Sequence, residues 1–143
     1  MLNRLARLRR AAARLRPARS AAADREQAFL LVARQSFVQL QAAWDRADLP
    51  ALGLMTTAPL LDELRQQLLL RGPGPNQTEV LELQARLVTI EDMRDASVAS
   101  VEFTGWIREQ ADDQAAPFRE LWLLADVKSA GCGWKLARVQ SLS

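Results

Sequence analysis

From Val98 to Gln140 apolar residues alternate with polar ones, and this stretch constrains the fold more than any other. It predicts three strands, punctuated by Thr104-Gly105-Trp106, Glu120-Leu121-Trp122 and Gly133-Trp134-Lys135. In the first, Ser97, Ala99, Val101, Phe103 and Ile107 share one side, with Ser100, Glu102, Thr104 and Arg108 on the other. Gly105 interrupts it, and a glycine inside a strand marks a bend or a close approach of backbone. Ala111-Asp112-Asp113-Gln114 is the expected hairpin loop, Phe118 to Lys128 the second strand, and Trp134 to Val139 the last. The middle strand is apolar on both sides: Phe118, Trp122 and Leu124 point one way, and Leu121, Leu123 and Val127 the other. A single layer of helices covers one face of a sheet. The other face of 118–128 is therefore expected to meet a protein partner or a second copy of the chain.

Upstream the period is helical. Phe29, Ala33, Phe37, Leu40 and Trp44 recur at three and four residues and share one face of a long helix, expected from about Arg25 to Arg46. Asp24 reads as its N-cap, with Gln27 completing a capping-box variant, and Trp44 reads first as core. Asp48-Leu49-Pro50 restarts the chain, with a short helix expected over Leu49 to Met55. Thr57 is the expected cap of a third helix, which tolerates Pro59 in its first turn. That helix carries Leu60, Leu61, Leu64, Leu68 and Leu69 and ends near Arg71, before the Gly72-Pro73-Gly74-Pro75-Asn76 loop. From Val80 the period changes again. Leu81, Leu83, Ala85 and Leu87 alternate with Glu82, Gln84 and Arg86, while Val88 and Ile90 fall on the opposite parity. A strand with a bulge near Thr89 accounts for both. Three helices followed by a strongly curved antiparallel sheet of about four strands is an α+β cone, the nuclear-transport-factor-2-like (NTF2-like) architecture.

Charge divides the chain differently. Residues 1–23 hold seven arginines (Arg4, Arg7, Arg9, Arg10, Arg14, Arg16 and Arg19) and no acid, whereas 24–143 hold 12 basic and 17 acidic groups. We read 1–23 as a separate Arg-rich segment and 24–143 as the folded domain. The arginines suit contact with an anionic membrane surface; a solvated leader, a mitochondrial transit peptide and a basic arm for RNA are the other readings. No apolar run approaches the roughly 18 residues that span a bilayer. The bias of 17 Arg to two Lys, in a chain rich in Ala and Leu, suggests a bacterial source.

Several segments together resemble the Tim44-like domain family. They are Ala33-Arg34 through Phe37 and Leu40-Gln41-Ala42-Ala43-Trp44; Asp48-Leu49; Val101-Glu102-Phe103-Thr104-Gly105; Phe118-Arg119-Glu120-Leu121-Trp122; and Trp134-Lys135-Leu136-Ala137 before Gln140. The family is named for an inner-membrane subunit of the mitochondrial import machinery; it also includes a mitochondrial large-subunit ribosomal protein and many bacterial proteins. The resemblance implies a non-catalytic binding or scaffold domain, in contact with protein partners or lipid and related to protein translocation. It also implies a bacterial protein, peripheral at the inner membrane or cytoplasmic, ahead of one in the mitochondrial matrix.

For chemistry the chain is poorly equipped. It has no His and no Tyr, which removes the commonest general base and a frequent oxyanion donor. Its one cysteine, Cys132, lies between two glycines in a turn and reads as a tolerated thiol. No metal-ligand cluster or phosphate loop is present, so no metal and no cofactor is expected. Among the strand acids Glu102, Glu120 and Asp126, alternation puts Glu120 and Asp126 on the face of Trp122, where a carboxyl could enter the cone and have a raised pKa. The simpler expectation is that Glu120 pairs with a cross-strand arginine such as Arg108 or Arg138. A partly apolar cavity is expected beneath the long helix, lined by Phe37, Trp44, Phe103 and Trp122. An isomerase- or dehydratase-like enzyme, or a small-molecule binder of this fold, is the first alternative to the scaffold. A ribosome- or RNA-associated protein is the second, although the acidic body argues against nucleic acid.

Overall fold

The computed structural model describes residues 17–72, 76–110 and 113–142. Three helices come first: α1 (Pro17–Asp45), α2 (Leu49–Met55) and α3 (Ala58–Arg71). Four strands follow: β1 (Glu79–Asp92), β2 (Ala96–Arg108), β3 (Ala116–Val127) and β4 (Lys135–Ser141). They pair antiparallel in the order β1-β2-β3-β4. This is the α+β architecture expected, with the element order of an NTF2-like cone.

The helix starts illustrate two outcomes. At α2 the Asp48 side chain accepts a hydrogen bond from the Ala51 amide at 3.1 Å, and Pro50 occupies the first turn, where a missing N–H costs nothing. Asp24, by contrast, is not a cap, because α1 runs straight through it. The Ala21-Ala22-Ala23 run is strongly helix-forming, and an aspartate inside a helix costs only a few tenths of a kcal/mol, about 0.7 at most. The helix is thus continuous across the 23/24 boundary, and residues 21–28 are all exposed. Packing begins at Phe29, whose ring meets Trp134 edge-on at 5.3 Å. Arg4, Arg7, Arg9, Arg10, Arg14 and Arg16 lie outside the described residues, and Arg19 falls on the α1 backbone.

The sheet carries three irregularities. Leu81 is an extra residue between the Val80–Ile107 and Glu82–Trp106 pairs, and Val88 is extra between Leu87–Val101 and Thr89–Ser100. Ala137 is extra on β4, between the partners of Leu123 and Leu124. The bulge at Val88 matches the parity change in the sequence. The bulge at Leu81 was not expected, and it turns Leu81 outward, 43% exposed, whereas alternation alone would bury it. Each bulge adds local twist, which suits a sheet wrapped around helices.

The register sets the faces. Ala99 pairs with Leu124, Val101 with Trp122, Phe103 with Glu120 and Gly105 with Phe118. These residues face the helices. The core joins Ala33, Phe37, Leu40, Ala43, Leu52 and Leu60 from the helices to Val101, Phe103, Trp122, Leu124 and Leu136 from the sheet. The buried Thr56 closes the layer. Its hydroxyl donates to the Leu52 carbonyl at 2.8 Å, and Thr56 itself bridges to Leu136 of β4. Leu69, expected on the packed face of α3, is 78% exposed, because the α3 residues that pack on the core are Leu60, Leu61, Leu64 and Leu68.

Candidate ligand-binding pocket

Beneath the C-terminal half of α1 lies a cavity of about 320 Å³. Its walls are Leu40, Gln41 and Trp44 from α1, Leu52 from α2, and Leu60, Glu63, Leu64 and Gln67 from α3. Glu120 and Trp122 of β3 and Val139 and Ser141 of β4 close it. The exposed side chains in this set are Glu63, Gln67, Val139 and Ser141, so the mouth lies between α3 and β4. Wider depressions of about 460 and 500 Å³ lie between α1 and β1, but they are open clefts bounded by surface residues such as Val38.

Each element places its part of the wall for a local reason. Trp44 follows Phe37 by two helical turns and is half-buried. The Arg71 guanidinium lies 5.3 Å from its ring centroid, and Arg71 Nη1 donates to the Trp44 carbonyl at 2.6 Å. That contact ties the end of α3 to the end of α1. Trp122 is 1% exposed and lies in an aromatic cluster with Phe37 (5.1 Å) and Phe103 (4.9 Å).

The four expected cavity residues therefore divide. Trp44 and Trp122 line this pocket. Phe37 and Phe103 do not; their rings pack on each other, with centroids 4.9 Å apart, in the cluster behind the wall. Inward-facing aromatics on facing elements filled the space between them instead of enclosing it.

Glu120 departs furthest from expectation. It has no arginine partner among the described residues; its Oε1 accepts a hydrogen bond from Trp122 Nε1 at 3.3 Å. The arginines named for it are engaged or placed elsewhere. Arg108 pairs with Glu79 at 3.0 Å, and Arg138 lies opposite Leu123 on the outer face. Glu102 takes two cross-strand arginines, Arg86 at 3.2 Å and Arg119 at 3.1 Å, on the outer face. Burial pushes the Glu120 carboxyl above the usual range, against the opposing effect of the Trp122 hydrogen bond. The Arg119 hydrogen bond, joined by Arg86, holds Glu102 below that range.

These shifts have opposite consequences for stability. A carboxyl with a raised folded-state pKa binds more protons folded than unfolded between its two pKa values, so stability falls as pH rises through that interval. Glu120→Gln should therefore raise the melting temperature at neutral pH. It should also flatten the decline that wild type shows as pH rises above the ordinary carboxylate range. Glu102 acts lower: its contribution is present above that range and is lost as pH falls through its lowered pKa. Melting temperatures of wild type, Glu120→Gln and Glu102→Gln across acid to neutral pH check both signs.

Leu40, Gln41, Leu52, Leu60, Glu63, Leu64, Gln67, Val139 and Ser141 were not singled out in the sequence as wall residues. Periodicity assigns them to a face but not to a void, which depends on where α3 meets β4. Among the described residues no group of three or more Cys, Asp or Glu is placed to hold a metal ion. No described helix is long and apolar enough to cross a membrane.

No protein-family model matches the chain, and no curated protein matches it. A solved structure does. It is a ketosteroid isomerase-like protein from Erwinia carotovora atroseptica SCRI1043, 18% identical to this chain. The match covers 80% of this chain and 96% of that one, with a TM-score of 0.40. The helices followed by a four-stranded antiparallel sheet are the α+β class expected, and a likeness this distant carries nothing about ligand or chemistry.

Proposed function

We propose that the chain is a non-catalytic binding domain whose pocket receives a small, largely apolar molecule. The observation that carries this reading is the wall: two tryptophans and four leucines around a desolvated carboxylate without an arginine partner, open to solvent at one side. A volume of about 320 Å³ is at the low end of the roughly 300–1,000 Å³ typical of small-molecule sites. A carboxyl with a raised pKa can also move a proton. The chain has no His or Tyr to stabilise developing charge, however, and the side-chain amides on the wall are only Gln41 and Gln67. Binding thus accounts for the pocket with fewer requirements than turnover.

The test is calorimetry with phenylbutanol, a neutral probe with an apolar body. Wild type should bind it. Val139→Trp, which adds bulk at the mouth at a position 39% exposed, should lose at least about tenfold in affinity at an unchanged melting temperature. Absence of binding to wild type, or equal binding to both, overturns the reading.

A Tim44-like scaffold is the second reading, favoured by the outer face of β3. Leu121 and Leu123 face away from the helices, on the same side of the sheet as exposed Trp106 and Val127. A protein partner or a second copy would cover this face, and the Arg-rich segment 1–23 would meet an anionic membrane. Flotation with anionic liposomes, for the full chain and for a chain starting at Ala23, tests the membrane part. Salt-sensitive flotation of the full chain alone supports it. Flotation of neither removes it and leaves RNA to be tried, where loss of binding on the same deletion would support the ribosome-associated alternative.

A further inference from the structure

The ionisable groups on the pocket wall are both acidic, Glu63 at the mouth and Glu120 inside, and no lysine or arginine lines it. We propose that the ligand is a small organic cation, an amine with an apolar body, whose ammonium group seats on the Glu120 carboxylate beside the Trp44 and Trp122 indoles. This rests on the reading that the pocket binds a small apolar molecule.

Three observations converge on it. First, an ionised carboxylate offers about four acceptor sites. Among the described residues Glu120 uses one, for Trp122 Nε1 at 3.3 Å. A desolvated carboxylate lacking donors is costly, and an ammonium group supplies both charge and N–H donors. Second, the half-buried Trp44 shares the wall with that carboxylate, and aromatic faces attract cations. Arg71 already lies against Trp44, 5.3 Å from the ring centroid. Third, that guanidinium is not part of the wall; it donates to the Trp44 carbonyl at 2.6 Å and pairs with neither pocket acid. The same two acids disfavour carboxylate and phosphate ligands, which would meet like charge at the mouth and again inside.

A matched pair of probes tests the assignment on the full chain at neutral pH: phenylbutylamine and phenylbutanol, titrated into wild type and into Glu120→Gln. Wild type should bind the amine about tenfold more tightly than the alcohol. Glu120→Gln should bind the amine no more tightly than the alcohol. Equal binding of both probes to wild type overturns the amine assignment and leaves the pocket reading standing. Binding of neither overturns both. An amine preference that survives in Glu120→Gln shows that Glu120 is not the seat and also overturns the proposal.

Discussion

Phe37→Ala should cost the fold about 4 kcal/mol, a value typical of removing a fully buried phenylalanine. Phe37 is 1% exposed, and its ring centroid lies 4.9 Å from Phe103, 5.4 Å from Phe118 and 5.1 Å from Trp122. It is the single helical contribution to an aromatic cluster otherwise built from β2 and β3. Removing it opens a void between layers whose long strands cannot collapse inward without breaking their pairing. A domain of this size has only about 5–15 kcal/mol of net stability, so the loss is a large part of the total. Phe37→Leu keeps most of the volume and should cost roughly 1.5 kcal/mol. Leu70→Ala is the control, since Leu70 is 88% exposed and should change stability by less than about 0.5 kcal/mol. Urea unfolding of the three variants with a common m-value checks the order.

Gly105→Ala should cost about 3 kcal/mol by overpacking alone. A Cβ at Gly105 would stand 1.9 Å from the Glu82 carbonyl oxygen and 2.7 Å from its carbon. Both are backbone atoms, so no rotamer change makes room. The approach arises next to the Leu81 bulge, where β1 presses its backbone onto β2. Gly53 offers the contrast. A Cβ there would meet only the Leu61 side chain, at 3.3 Å, and α2 gains helix propensity from alanine. Gly53→Ala should stay within about 1 kcal/mol of wild type. A Gly105→Ala variant as stable as Gly53→Ala would show that the sheet relaxes around this position and that the close approach is not a structural requirement.

Gly105 also shows how much of the fold was legible. A glycine inside an alternating pattern announced a close backbone approach, and the parity break at Val88 announced a bulge. The boundaries of α2 were readable from Asp48 and Pro50 because a cap and a proline act locally. Asp24 misled for the same reason: a capping preference of about 1 kcal/mol is local, and the alanine run before it carried the helix on. At Leu81 the signal was weak: Val80 is apolar where the alternation calls for a polar residue, and one such residue at a strand end does not announce a bulge.

The site was legible only in part. Alternation placed Glu120 and Trp122 on one face, as the register shows. It could not choose the partner of Glu120, because cross-strand neighbours depend on register, and three bulges set the register. The arginines went to Glu79 and Glu102 at outward and edge positions. The aromatic pattern likewise identified four inward residues without saying which would pack and which would line a space. That division depends on α3, which the Thr56–Leu136 bridge brings against β4.

The most direct measurement is the indole N–H region of a nitrogen-proton correlation spectrum, recorded while phenylbutanol is titrated into the labelled protein. The chain has four tryptophans in separate environments. Trp44 and Trp122 line the pocket, Trp134 packs against Phe29, and Trp106 is exposed on the outer face. The pocket account predicts that the Trp44 and Trp122 signals move together and saturate, while those of Trp106 and Trp134 stay in place. Movement of Trp106 alone, or of none of the four, would contradict it.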